Sequence, residues 1–260
     1  MSEQGLPDSL TEFIDRVETT EWSVRIVNRT EPEPVRRMLD DLFGGLSIDT
    51  EETEQTEAAD DRLLLFHEGE VVASSPLSAV KESLLLVNSD LYRTGATDIE
   101  EIDPPDVIVE LSDTVFSLRG YPESSVEKLV LTLISRYIEY RAWTERDGEL
   151  RTSFQRLSRL DDESGTREIY DRLGRLAGID VHVFGFPDWN PAESMDVTVH
   201  GVDDDEILRH WFVVYDGDDG RSVAMLAVKT GSSEWEGFWT FEAGRIEAIS
   251  EYVSRTFGSR

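Results

Sequence analysis

Apolar residues recur along this chain with two periods, one near 3.6 and one of 2, and their succession predicts a mixture of helices and strands. Ser9-Leu-Thr-Glu12 has the form of a capping box, and Leu10, Phe13, Ile14 and Val17 follow it at helical spacing. Trp22-Ser-Val-Arg-Ile-Val27 alternates as a strand. Thr30-Glu-Pro-Glu33 opens a second helix, with Val35, Met38, Leu39, Leu42 and Phe43 inward and Gly44-Gly45 as its stop. From Ser47 to Asp60 the chain is acidic and, after Ile48, almost free of large apolar residues, so beyond a short strand it reads as a loop.

Leu63-Leu-Leu-Phe66 and Val71-Val-Ala73 flank the turn Glu68-Gly-Glu70 and predict a hairpin, after which Pro76 opens a helix through Val80, Leu84 and Val87. Thr94 to Asp106, with Gly95, Pro104 and Pro105, is irregular; Val107-Ile-Val109 and Val115-Phe-Ser-Leu118 read as strands. A capping box at Ser124-Ser-Val-Glu127 starts the strongest helix, with Val126, Leu129, Val130, Leu133, Ile134, Tyr137 and Ile138 on one stripe. Leu150 to Leu157 is a strand. Asp162-Glu-Ser-Gly-Thr166 then leads into a helix bearing Ile169, Tyr170, Leu173 and Leu176, ended by Gly178. Four β-rich runs follow, Val181 to Phe186, Val197 to Val199, Trp211 to Tyr215 and Val223 to Val228, and a last helix carries Ile246, Ile249 and Val253. The predicted class is α+β (mixed α/β), a C-terminal sheet flanked by helices with an N-terminal mixed α/β lobe.

Charge changes this picture most. Among 260 residues, 55 Asp and Glu face 25 Lys and Arg, a formal net charge of −30, and Lys81, Lys128 and Lys229 are the lysines. The acids are spread along the chain, the pattern of a solvated surface adapted to concentrated salt, where screening removes the self-repulsion that such a charge creates. Direct nucleic-acid binding is set aside, because the arginines from Arg136 to Arg159 are diluted by Glu139, Glu145, Asp147 and Glu149. No apolar run suits a membrane span or a leader segment, and the absence of cysteine excludes disulfides, thiolate chemistry and cysteine-held metals. A cytoplasmic protein is expected.

Catalytic patterns are sparse. His67, His182, His200 and His210 have no metal-binding spacing, no G-x-S-x-G elbow, phosphate-binding loop or dinucleotide fingerprint occurs, and Asp203-Asp-Asp205 suits an exposed turn better than a cation site. His182 alternates with Val181 and Val183, so it faces away from the core. Trp189, Trp211, Trp235, Phe238, Trp239 and Phe241 form an aromatic set suited to core packing or, at its surface, to stacking on a planar ligand or partner.

Leu133-Ile-Ser-Arg-Tyr-Ile-Glu139, Ser153-Phe-Gln155, Thr166 to Leu173, Val181-His-Val-Phe-Gly185, Trp211 to Asp216 and Trp235-Glu-Gly-Phe-Trp-Thr240 together resemble the DICT sensory domain, in particular its stand-alone haloarchaeal members. The resemblance spans roughly Leu118 to Phe257. It divides the chain into an N-terminal lobe of unknown role, 1–117, and a sensory domain, 118–260. It implies a small α+β module of the kind joined to diguanylate cyclases, phosphodiesterases and two-component proteins, with a suggested part in light responses. No output domain follows in this sequence, so a signalling protein partner or a small-molecule ligand is expected, with no catalytic residue, no metal ligand and no assigned cofactor. Arg136 and Glu139, one turn apart on a helix, together with Gln155, His182, Trp211, Trp235 and Trp239, are the candidate binding residues. The rival reading is a metal-dependent hydrolase or nucleotide-processing enzyme, marked by a buried carboxylate cluster; a third is an adaptor whose acidic surface binds a basic partner.

Overall fold

The computed structural model describes residues 6–18, 21–46, 48–55, 61–83, 104–119, 126–162, 164–190, 195–231 and 234–258. Two sheets organise the mixed α/β fold. The smaller has the order β2-β1-β3-β4, from β1 (Trp22–Val27), β2 (Asp49–Thr53), β3 (Arg62–His67) and β4 (Glu70–Pro76). Strand β1 runs parallel to β2, reached through helix α2 (Glu33–Gly45), and antiparallel to β3. The short strand expected after Ile48 is thus an edge strand formed by acidic residues. Its side chains are exposed or half-buried, so its strand character comes from the backbone ladder to Ser23 through Val27.

A local signal explains the start of the first helix. In α1 (Leu10–Asp15) the Ser9 hydroxyl accepts from the Glu12 amide at 3.2 Å, while the Glu12 carboxylate reaches back to the Asp8 amide at 2.7 Å. Helix α2 instead begins at Glu33 without a side-chain cap. Thr30, read as its cap, is engaged elsewhere: its amide donates to Asp61 at 2.6 Å and its hydroxyl donates to the same carboxylate. Residues 77–83 are helical (α3); Leu84, Val87, most of the 94–106 segment and the first residues of the Ser124 capping box lie outside the described residues.

Val107-Ile-Val109 is not a strand. Asp106–Val109 forms one helical turn, α4, because the Pro105 carbonyl accepts from the amides of Ile108 and Val109 at 2.8 and 3.2 Å. That turn buries Val107 and Ile108, and the Val107 amide donates to Ser75 Oγ at 3.2 Å.

The larger sheet has the order β5-β11-β10-β9-β6-β7-β8. Its strands are β5 (Phe116–Arg119), β6 (Glu149–Arg156), β7 (Asp180–Phe186), β8 (Thr198–Gly201), β9 (His210–Asp216), β10 (Val223–Lys229) and β11 (Glu234–Thr240). Strands β6, β7 and β8 are parallel, and the remaining pairs are antiparallel. Helices α6 (Arg159–Asp162) and α7 (Ser164–Gly174) connect β6 to β7. Helix α7 stops short of the expected Gly178, at Gly174, and a Cβ added to Gly174 would lie 2.1 Å from the Asp196 carbonyl oxygen. Gly178, at φ +100°, makes the turn into β7. Asp204, within the expected acidic turn, caps a short helix, α8 (Asp205–Arg209), by accepting from the Glu206 amide at 2.8 Å.

The period of 2 separates the faces of this sheet. Leu150, Val183, Val213, Met225 and Trp239 join the core under α5 (Val126–Glu145), which also packs against α2 and so connects the two sheets. Phe212, Val214, Leu226 and Phe238 join the opposite core, under α1 and α9 (Ala243–Phe257). Leu10, Phe13 and Ile14 of α1, and Val17 just after it, are buried there, each contributing on the order of 1.5–3 kcal/mol as an upper estimate. Among the described residues no helix is long and apolar enough to cross a membrane.

Candidate functional site

Arg136 and Glu139 face inward from α5, only 9% and 3% exposed. Nη1 of Arg136 donates to Glu139 Oε2 at 2.7 Å, and Nη2 donates to the Thr166 hydroxyl at 2.9 Å. The phenol of Tyr170 on α7 donates to the other carboxylate oxygen, Oε1, at 2.9 Å. Both oxygens of the buried carboxylate are therefore satisfied, the condition under which a desolvated ion pair is tolerated. Burial, reinforced by the Glu139 charge, holds the Tyr170 phenol well above its usual range. The network ties α5 to α7, and Phe154 of β6 packs edge-on against Tyr170 at 5.2 Å.

The tryptophans separate. Trp211 and Trp235 are half-buried, with ring centroids 6.5 Å apart at 77°. They lie on opposite sides of β10, where Ala227 pairs with both Trp211 and Gly237. Trp239, two residues beyond Gly237, is 1% exposed, and its indole N–H donates to the Val109 carbonyl at 3.2 Å. It is packed in the core beside Phe116, while Phe241 is exposed and meets Tyr137.

Gln155 sits at an irregularity in the β6 ladder, with φ +54°. Its amide nitrogen donates to the His210 carbonyl at 3.0 Å, alongside the Ser153 hydroxyl at 3.1 Å. The alternation of His182 with Val181 and Val183 does turn it from their core, but not to an open surface: it shares the sheet face of Phe184, which the second core covers, and is half-buried, with Nδ1 3.0 Å from Nε2 of His200. His200 in turn stacks on Phe184 at 4.3 Å. Burial lowers the pKa of both imidazoles; the Arg151 charge lowers both further, and His182 adds to the effect on His200. Both rings are thus favoured neutral, one donating its proton to the other.

The fold brings together Arg136 with Glu139 and Trp211 with Trp235, and it separates these pairs from His182, on the other face, and from the buried Trp239. Sequence reasoning passed over Tyr170 and His200. Tyr170 was legible only as part of an apolar stripe, and His200 required β8 to be extended by one residue beside β7. A third polar group was also missed: Glu206 of α8 accepts from the Leu10 amide at 2.6 Å and from the Tyr252 hydroxyl at 2.8 Å. Nearby, His210 Nδ1 meets the Glu206 carbonyl at 2.7 Å and Nε2 meets the Thr11 hydroxyl at 3.1 Å, with burial lowering the imidazole pKa. Among the described residues no group of three or more His, Asp or Glu side chains is arranged to hold a metal ion.

Residues 106–229, from α4 to the end of β10, match the DICT family model, described as a sensory domain in diguanylate cyclases and two-component systems. The match supports that family for just under half of the chain, the part containing the Arg136 network and the histidine pair; DICT is a sensory domain of signalling proteins. No curated protein matches the chain. The crystal structure of polyphosphate kinase from Porphyromonas gingivalis is similar at a TM-score of 0.35 and 6% identity, covering 94% of this chain and 44% of that one. A likeness this loose carries no argument.

Proposed function

We propose that this protein is a non-catalytic sensory module of a salt-adapted, archaeal cytoplasm, which receives a small-molecule ligand or protein partner and transmits the event to a signalling partner. The observation that carries the reading is the DICT match over residues 106–229, which encloses the buried Arg136–Glu139–Tyr170 network. That network supports a route for the signal. A ligand or partner that alters the spacing of α5 and α7 changes the pairing of a desolvated charge, and the two arrangements then differ in free energy enough to shift a population. Trp211 and Trp235, half-buried on the same face of the sheet, are the proposed contact residues, and the stimulus belongs to the light-linked, two-component or cyclic-dinucleotide class of signalling.

The test is purification from a high-salt host, followed by an absorption spectrum, mass spectrometry of co-purified small molecules and thermal shifts with a metabolite and nucleotide panel. A bound compound, or a compound that raises the melting temperature and quenches Trp211 and Trp235 fluorescence, supports the ligand form. A colourless, empty protein unmoved by the panel removes that form and leaves partner binding.

A further inference from the structure

We infer that Lys229, Trp211 and Trp235 form a binding shelf for a planar aromatic compound that carries a carboxylate or phosphate. The inference deepens the sensory reading and rests on it for the role of the two tryptophans as contact residues. The ammonium adds the class of ligand.

The strand registers put the three side chains on one face. Lys229, the last residue of β10, pairs with Trp235 of β11, and Ala227, two residues earlier, pairs with Trp211 of β9 and Gly237 of β11. Paired residues of an antiparallel ladder, and residues two apart on a strand, point to the same side. That side is the one on which Met225, Ala227 and Trp239 are buried in the core under α5. At this end of the sheet, Lys229, Trp211 and Trp235 are half-buried, and beside the tryptophans the sheet surface offers the Ala227 methyl and the bare backbone of Gly237. The two indoles, with centroids 6.5 Å apart at 77°, make a corner. A flat ring stacked on the indole that stands edge-on presents its own edge to the other, so it gains both arrangements that aromatic groups favour.

Charge supplies the rest. Glu234 and Glu236, the carboxylates of β11, alternate with Trp235 and so project from the opposite face. Among the described residues the Lys229 ammonium has no ion pair or hydrogen bond, whereas Lys81 is paired with Glu31 at 2.5 Å. In a chain with 55 acidic residues, a half-buried ammonium that none of the described carboxylates neutralises leaves a charge to be matched. Lysine lays its methylenes along apolar surface and extends its charge beyond them. An anionic substituent on a ring held by the tryptophans would accept from its three N–H donors, in charge-assisted hydrogen bonds. A neutral aromatic compound gains the stacking alone.

Isothermal titration calorimetry of the full chain, at the lowest KCl concentration at which circular dichroism shows it folded, tests this with anionic probes and their neutral counterparts. The pairs are flavin mononucleotide and riboflavin, adenosine monophosphate and adenosine, and indole-3-acetate and indole-3-acetamide, so that phosphate and carboxylate are read separately. The expected result is that at least one anion binds about tenfold or more tightly than its neutral counterpart and quenches tryptophan fluorescence. Lys229→Gln removes that preference, Lys229→Arg retains it, and Trp235→Ala weakens the anion and its neutral counterpart alike. No binding by any probe, a neutral counterpart that binds equally well, or a preference that survives Lys229→Gln overturns the proposal, and each leaves the sensory reading through a protein partner standing. Hydrogen exchange in α5 and α7 tests that reading separately: Lys229-dependent binding that leaves both helices unchanged keeps this site and removes the sensory role.

Discussion

Tyr170 donates its hydroxyl to Oε1 of Glu139 over 2.9 Å, and thereby completes a carboxylate whose other oxygen is held by Arg136 at 2.7 Å. The bond joins α7 to α5 inside the core, where neither group has access to bulk water. Removing Glu139 leaves Arg136 as an uncompensated buried cation. Glu139→Gln is expected to lower unfolding stability by about 3–5 kcal/mol, and Tyr170→Phe by about 1.5–3 kcal/mol. Chemical denaturation at one fixed, high salt concentration checks both values, and a loss below 1 kcal/mol for Glu139→Gln would show that the pair is not desolvated in solution.

The same phenol sets an alkaline limit. Its folded-state pKa is raised, so between the ordinary phenol value of about 10 and that higher value the folded state holds a proton the unfolded state has lost. Stability due to this group is complete below about pH 10 and declines as pH rises further. Tyr170→Phe should start from a lower stability and fall less steeply above that pH; parallel slopes for the two proteins would remove Tyr170 from the account.

Acid acts through the histidines. The folded-state pKa values of His182, His200 and His210 are lowered, chiefly by burial, so below the ordinary imidazole value of about 6.5 the unfolded chain binds protons first. Their contribution is intact above about pH 6.5 and is lost as pH falls toward the depressed values. His210 is faced by Glu206, Arg209 and Thr11, and His182 and His200 by Arg151, with Asp180 also near His182. Replacing His210 with Asn, which keeps an N–H close to the position of Nδ1, should make the acid arm of the stability profile shallower. An unchanged arm counts against its titration.

Glu206 holds the first helix to the last. Its carboxylate joins the Leu10 amide and the Tyr252 hydroxyl, and Phe13 packs against Tyr252 at 5.8 Å. Glu206→Ala should cost on the order of 1.5–3 kcal/mol and raise hydrogen exchange selectively in α1. Uniform loss of protection over the large sheet, with no excess in α1, would contradict this local role.

Gly237 permits close approach of β10 and β11 between the half-buried tryptophans. A Cβ there would lie 2.5 Å from the Leu226 carbonyl oxygen and 2.8 Å from the Ala227 Cβ. Gly237→Ala is therefore expected to destabilise by about 1–3 kcal/mol and to change the fluorescence of Trp211 and Trp235. A neutral substitution would mean that the strands separate easily at this point.

Much of the fold was present in local pattern. Strands β6, β7, β9 and β10, helix α5 and the Ser9 cap follow from alternation, helical spacing and a hydroxyl placed before a first turn, features that depend on neighbours a few residues apart. The pairing of Arg136 with Glu139 was legible for the same reason, being one helical turn apart. Where partners are distant in sequence, the local pattern was silent or misleading. Strand β2 exists because β1 offers a ladder; Val107 and Ile108 enter a helical turn, although their β-branched run favours a strand, because Pro105 accepts its amides. Thr30 leaves the α2 cap for a carboxylate 31 residues away. Tyr170 meets Glu139, His200 meets His182 and α1 meets α9 only after the elements dock, since a buried polar group takes the partner that packing presents to it. The sequence by itself thus determined most of the elements and the acidic character of the chain, and the tertiary structure decided the remaining elements and which polar groups were sealed together, because burial and long-range hydrogen bonding arise from docking rather than from neighbouring residues.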